Sequence, residues 1–95
     1  MMHLVFMESE MVKEFYELKA EIELSNASRR AAELMVRKYI DEFNSSTSAD
    51  EMEVLDEYIK SFSKTIEIDD ERIGYMKKKK KELKNELKSL GIKVK

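Results

Sequence analysis

The sequence predicts an all-α protein, a long antiparallel two-helix hairpin of coiled-coil character that dimerises into a four-helix bundle. Three observations lead to this prediction. Proline is absent and glycine occurs only at Gly74 and Gly91 among 95 residues, so little interrupts long helices. Apolar residues recur at alternating spacings of four and three along two stretches. A single short polar segment separates those stretches, and the whole length is that of one domain.

Helix 1 is predicted to span about 8–43 and carries one row of mostly apolar residues along a single side. The row consists of Met11, Phe15, Leu18, Ile22, Ser25, Arg29, Ala32, Val36, Tyr39 and Phe43. A seven-residue repeat held over this length is typical of the contact seam of a coiled coil. The preceding segment, 1–7, is an N-terminal tip for which two conformations remain open, an extension of helix 1 and a short extended segment.

Helix 2 is predicted to span about 49–90, after a loop at 44–48 and before a tail at 91–95. Its row consists of Met52, Leu55, Ile59, Phe62, Ile66, Asp69, Ile73, Met76, Lys80, Leu83, Leu87 and Leu90. Ser48 and Glu51 have the spacing of a capping box, which marks the start of the helix. Gly91 suits the left-handed position after the last turn, with Ile92 packing back on Leu87. A kink near residues 66–70 remains open.

The two rows agree on one register when the chain folds back at the loop. Tyr39 then faces Leu55, and Ile22 faces Ile73. The polar members of the rows meet as well, since Ser25 faces Asp69 with Arg29 one turn away. We interpret this polar layer as a feature that fixes register and oligomeric state rather than as a binding point.

A second apolar row on the far side of helix 1 predicts a partner. Small residues in this row would let another helix approach closely, and a solvated face would carry charges instead. The simplest arrangement is a two-fold homodimer. The predicted dimer or partner interface consists of Ala20, Leu24, Ala27, Ala31, Leu34, Tyr58, Ile68 and Tyr75.

Charge is distributed unevenly, although the net charge is only −2. Residues 1–76 contain nine basic and eighteen acidic residues, and residues 77–95 contain nine basic and two acidic ones. The antiparallel pairing places the lysine-rich end beside the glutamates of helix 1, and we expect many lysines to pair with them. The alternative is nucleic-acid binding through phosphate contacts. The candidate residues for that alternative are Lys77, Lys78, Lys79, Lys81, Lys84 and Lys88.

Nothing in the sequence marks a catalytic, cofactor or metal site. Cysteine is absent and His3 is the sole histidine, which excludes thiol chemistry and the usual zinc and di-iron ligand patterns. We therefore expect no enzyme and no cofactor. The expected function is a protein–protein interaction module, an adaptor or small regulator, that binds itself and an unidentified protein. We expect a cytoplasmic location and no membrane partner.

Overall fold

The computed structural model describes the backbone of residues 2–95 and the side chains of residues 8–95. Two helices account for nearly all of it: α1 spans Met2–Ser45 and α2 spans Ala49–Ser89. They lie antiparallel in a rod of 71 × 18 × 14 Å. The radius of gyration is 20.4 Å, whereas a compact domain of this length would have about 12 Å. The predicted all-α hairpin is confirmed.

The loop between the helices is shorter than the sequence suggested. α1 continues through Ser45, whose Oγ donates to the carbonyl oxygen of Asp41 at 2.9 Å. Ser48 is the N-cap of α2, and its Oγ accepts a hydrogen bond from the amide of Glu51 at 3.3 Å. The amide of Ser48 in turn donates to Ser46 Oγ at 3.3 Å. The predicted N-cap at Ser48 is confirmed. In a reciprocal capping box the side chain of Glu51 would accept from the amide of Ser48, and here the Oγ of Ser46 accepts that hydrogen bond instead.

The end of α2 is a complete Schellman motif. Gly91 has a φ of 79°, the left-handed conformation that a side chain disfavours. The amide of Ile92 donates to Leu87 O at 2.9 Å, and that of Gly91 donates to Lys88 O at 3.0 Å. Ile92 packs against the core cluster that contains Leu87, as predicted.

At its other end α1 begins at Met2, so its backbone is helical in the segment for which the sequence left two conformations open. The side chains of residues 2–7, and all of Met1, lie outside the described residues.

The core follows the predicted rows. Phe15 and Leu87 are fully buried. They belong to one cluster in the half of the rod far from the loop, formed by Phe15, Leu18, Ile22, Ile73, Met76, Leu83 and Leu87. In the loop half, Ala32 and Leu55 are buried.

Ser25 and Asp69 are the only buried polar residues among the described side chains, and they lie between the two apolar halves of the rod. α2 is one continuous helix through residues 66–70, the segment in which the sequence left a kink open, and no new helix begins at Asp69. Neither helix contains a stretch, within the residues described, that is long and apolar enough to cross a bilayer.

Candidate interaction surfaces

The hairpin has two different long sides, one on each side of the contact seam. The position of a residue in the seven-residue repeat tells on which of the two sides it lies. Arg72 and Lys79 of α2 share clefts with Glu14, Glu21 and Ser28 of α1, so these positions line one side of the seam. We call this side the open face. The opposite side carries Val12 and Lys19 of α1, together with Lys77 and Lys84 of α2.

The carboxyl-terminal tail, residues 92–95, lies along part of that opposite side at the far end of the rod. Ile92 and Val94 are half-buried against the core cluster, against which Met11 and Val12 also pack. Lys19 Nζ donates to the carbonyl oxygen of Lys95 at 3.2 Å. Both termini were expected at one end of the hairpin, with Ile92 and Val94 near residues 4–6, whose side chains lie outside the described residues. The docking of the tail further along α1, as far as Lys19, was not predicted.

The open face exposes large apolar side chains. Leu24 is 71% exposed and Tyr75 is 68% exposed. Val54, Tyr58 and Ile68 are each about half exposed and lie on the same side of α2, and Ala31 is exposed above Leu24 on α1. All eight residues of the predicted interface are therefore at the surface of the single chain. Their spacing places Ala20, Ala27 and Leu34 further round, on the back of α1.

A cleft of about 270 Å³ opens on this face at the level of the polar layer. Asp69 lies at its base, and Oδ2 of Asp69 is buried without a hydrogen-bond partner among the described residues. The other lining residues are Glu21, Leu24, Ser25, Ser28 and Arg72. Two smaller clefts follow towards the far end of the rod, and Glu14 and Lys79 line both of them.

Arg29 does not join the buried polar layer. Its guanidinium Nη1 donates to Asp70 Oδ1 at 2.7 Å, on the side opposite the open face. This hydrogen bond, reinforced by the charge of Asp70, raises the pKa of Arg29 above its ordinary value. The Nε of Arg29 is 3.8 Å from Glu33 Oε1, which is too long for a hydrogen bond. The ion pair therefore joins the helices beside the polar layer, not within it.

Among the side chains of residues 8–95, most lysines of the lysine-rich end are not paired with glutamates. Lys79 Nζ is 3.1 Å from Glu14 Oε1, and this hydrogen bond raises the pKa of Lys79. Lys80 Nζ lies 5.6 Å from the ring centroid of Phe15, beside which the sequence register placed it. Lys78 is exposed without a carboxylate within ion-pair distance among residues 8–95.

Four further lysines form one row on the side opposite the open face, at spacings of four, three and four. We call this row the lysine stripe: Lys77, Lys81, Lys84 and Lys88. All four are exposed, and within the described side chains no carboxylate pairs with them. Of the six helix 1 glutamates expected at this end of the rod, from Glu8 to Glu23, Glu14, Glu17 and Glu21 line a cleft of the open face instead.

An aromatic layer near the loop was also missed by the sequence analysis. The ring of Tyr39 lies 5.2 Å from that of Tyr58 and 5.8 Å from that of Phe62. The sequence register had opposed Tyr39 to Leu55. Side chains lean towards the N-terminus of their own helix, which is away from the loop in α1 and towards it in α2. A ring on α1 therefore meets rings of α2 residues whose backbone lies further from the loop than its own.

Among residues 8–95, no group of three or more acidic, histidine or cysteine side chains is arranged to hold a metal ion. The surfaces that remain are the open face and the lysine stripe. In comparisons with known proteins, no family model, no curated protein and no solved structure matches this chain.

Proposed function

We propose that this chain is a non-enzymatic interaction module that acts as a homodimer, with two hairpins joined through their open faces in a four-helix bundle. The observation that carries the proposal is the row of exposed apolar side chains on one side, opposite a side that carries the tail and the lysine stripe. The dimer then presents its outer helical surfaces to an unidentified protein, as an adaptor or small regulator does.

The accessible surface of the single chain supports a partner. It is 7467 Å², whereas a compact globular protein of 11.2 kDa exposes about 5,700 Å². The excess of about 1,800 Å² on one chain is roughly twice the area that one partner buries in a standard protein–protein interface, about 800 Å². A two-helix rod gains this excess because each helix has only one neighbour to pack against.

The open face is also long enough for such an interface. From Val54 to Tyr75 it extends for about 31 Å along α2, at 1.5 Å per residue. The rod is 18 Å wide, so the projected area is about 560 Å². Protruding side chains make the accessible area larger than this projection, which brings it near the roughly 800 Å² per subunit of a standard interface.

Sedimentation velocity from about 1 to 200 μM tests the proposal. We expect the wild-type chain to sediment at twice its mass of 11.2 kDa at the upper concentrations. Leu24→Glu places a charge in the centre of the interface on both subunits. Burial of one leucine is worth about 1.5–3 kcal/mol, so the loss of two raises the dissociation constant at least about a hundredfold.

Ile40→Glu is the matched control, because Ile40 is 40% exposed and lies away from the open face. It should leave the dimer intact. A wild-type chain that remains monomeric at 200 μM contradicts the proposal. So does a Leu24→Glu variant that dimerises as tightly as the wild type while its helical circular dichroism is unchanged.

A second candidate function is nucleic-acid binding, which the unpaired lysine stripe favours. Four lysines on one helical face offer phosphate contacts without competing carboxylates, and a dimer would carry two such stripes. Four released counterions give a salt slope near −3.6, so affinity should fall roughly a hundredfold between about 50 and 200 mM salt.

Fluorescence anisotropy with a labelled DNA duplex measures this binding and its salt dependence. Replacement of the four stripe lysines by glutamine should abolish it. The charge-matched control replaces four lysines outside the stripe: Lys13, Lys38, Lys60 and Lys64. Absence of binding at about 50 mM salt, or an equal loss in the control, contradicts nucleic-acid binding through the stripe.

The cytoplasmic location stays a prediction from the cysteine-free composition.

A further inference from the structure

The carboxylate of Asp69 has an oxygen atom that lacks a hydrogen-bond donor among the described residues of the single hairpin. Asp69 belongs to the contact seam, where only 8% of its surface remains exposed. Its Oδ2 has no hydrogen-bond partner within the described part of the chain. A buried carboxylate oxygen without a donor is strongly unfavourable, and such a group in a native structure calls for a missing partner.

Arg72 is a cation beside this carboxylate that also has no partner. It is exposed, lines the same cleft as Asp69, and has no carboxylate within ion-pair distance among the described side chains. Most surface arginines remain solvated, so its exposure alone means little. Its position on the open face, next to an orphaned carboxylate, is what distinguishes it.

We infer that in the homodimer the guanidinium of Arg72 enters the cleft of the partner subunit and pairs there with Asp69, whose carboxylate turns towards the cleft to bring its buried Oδ2 within reach. The inference rests on the dimer proposed above. In a two-fold dimer each contact occurs twice, so the two subunits exchange Arg72 and complete both clefts. The cleft is thus a site that one chain cannot complete alone.

The lining of the cleft suits a guanidinium better than a water molecule or an ammonium group. Glu21 and Asp69 line the cleft from opposite helices, and the planar fork of an arginine can donate to two carboxylates at once. Leu24 borders the same cleft and offers apolar surface to the arginine stem. A cavity of about 270 Å³ has room for the whole guanidinium group.

This exchange gives the dimer a single register. Two rods joined only by apolar side chains at a seven-residue repeat could slide by one heptad, about 10 Å, and still bury the same kind of surface. A polar group buried at one level opposes that slide, because every other register leaves it without its partner.

Two variants of opposite charge test the exchange. Asp69→Lys leaves only basic groups at positions 69 and 72, and Arg72→Glu leaves only acidic ones. Each homodimer then juxtaposes like charges and should dissociate at least about tenfold more readily than the wild type. The mixed dimer pairs opposite charges at both sites, so a mixture of the two variants should associate at least about tenfold more tightly than either alone.

Native mass spectrometry of the two variants, given distinguishable masses, reports the mixed dimer directly. An interaction within one chain cannot produce this preference, since no single variant contains both charges. Arg30→Glu, at an exposed arginine away from the open face, is the control and should show no preference for either variant. Circular dichroism verifies that each variant remains helical.

Asp69→Asn keeps the test decisive should a lysine at position 69 unfold the chain. It is nearly isosteric and removes only the charge, so we expect a dimer weakened at least about tenfold and a monomer no less stable than the wild type. If the wild type dimerises but Asp69→Asn binds as tightly, or the mixture shows no preference, the exchange is overturned and the dimer stands. If the wild type is monomeric throughout, the dimer itself is wrong.

Discussion

The two glycines of the chain should respond in opposite directions to the same substitution. Gly74 lies within α2, and a Cβ built there meets nothing within 4 Å. Gly74→Ala therefore introduces no clash and restricts the unfolded chain, which stabilises a helix interior by about 0.8–1 kcal/mol. A Cβ at Gly91 also meets nothing within 4 Å, but its φ is 79°. Gly91→Ala should cost about 1–2 kcal/mol, because only the left-handed backbone is strained.

Thermal and urea unfolding followed by circular dichroism at 222 nm measure both free energies. In a domain of this size, 1 kcal/mol shifts the melting temperature by about 4–8 °C, so the two variants should differ by about 7 °C or more. All samples must have one protein concentration, because the stability of a dimer depends on it. Because the two sites are far apart, their effects on the free energy of unfolding should add. The gain at Gly74 should therefore offset much of the loss at Gly91 in the double variant, which should lie close to the wild type.

The reasoning is wrong if Gly74→Ala is destabilising, because the built Cβ has open space around it. It is equally wrong if Gly91→Ala leaves stability unchanged, which would mean that the end of α2 readily adopts another conformation. Both substitutions remove a glycine and add one methyl group. An explanation by composition alone therefore predicts equal effects, and only the backbone conformation separates them.

Three other predictions concern the core, the tail and the inter-helix ion pair. Phe15→Ala should lower the free energy of unfolding by about 3–5 kcal/mol, because the ring is fully buried. Replacement of both Ile92 and Val94 by serine should cost about 2–3 kcal/mol, because each side chain is half-buried against the core cluster. The pKa of Lys79 is raised above its ordinary value of 10.5, so the ion pair stabilises the fold below that pH. The difference in melting temperature between wild type and Lys79→Gln should therefore stay constant from about pH 7 to 10 and shrink as the pH rises further.

Each of these predictions has a contrary outcome. Tyr16→Ala, at a neighbouring ring that is 44% exposed, should cost much less than Phe15→Ala, and equal losses would contradict the assigned core. Lys93→Ser should be neutral, because Lys93 is the exposed residue between the two packed positions of the tail. A difference for Lys79→Gln that grows above pH 10.5 would have the wrong sign for a raised pKa.

Local chemistry made the helices and their ends predictable. The four-and-three spacing identified the seam, and burial of Phe15 and Leu87 follows it. Ser48 and Gly91 mark helix ends through hydrogen bonds within a few residues of themselves, so no knowledge of the rest of the chain was needed. The antiparallel direction followed from the short loop.

Contacts between elements were less predictable, because several side chains compete for each partner. Arg29 could reach either of two adjacent aspartates and pairs with Asp70. The lysines were assigned to the glutamates because the antiparallel pairing puts both at the same end of the rod. The prediction did not consider on which side of the rod each charge lies, and the sides separate most of them. The docking of the tail was predicted only in part, at Ile92 and Leu87, because four residues carry too short a pattern to indicate how far along α1 they extend.

The cleft was predictable only in part. Sequence spacing placed Ser25 opposite Asp69, and both are buried. The seam row also fixes the side on which Arg72 lies, since it directly precedes Ile73, but the cleft itself depends on how the side chains pack, which spacing does not give. The open face could likewise be read from the second row of residues, although its members divide between the face itself and the back of α1.

A rod of only two helices has no central layer to which all parts of the chain must fit. Each level along the seam touches only the levels directly before and after it, as in a repeat protein. Seven residues removed from α1 and seven from the facing level of α2 would shorten the molecule by about 10 Å and leave every remaining neighbour in place. Length is thus an adjustable dimension of this protein, and matched pairs of insertions or deletions should be accepted where an unmatched one is not.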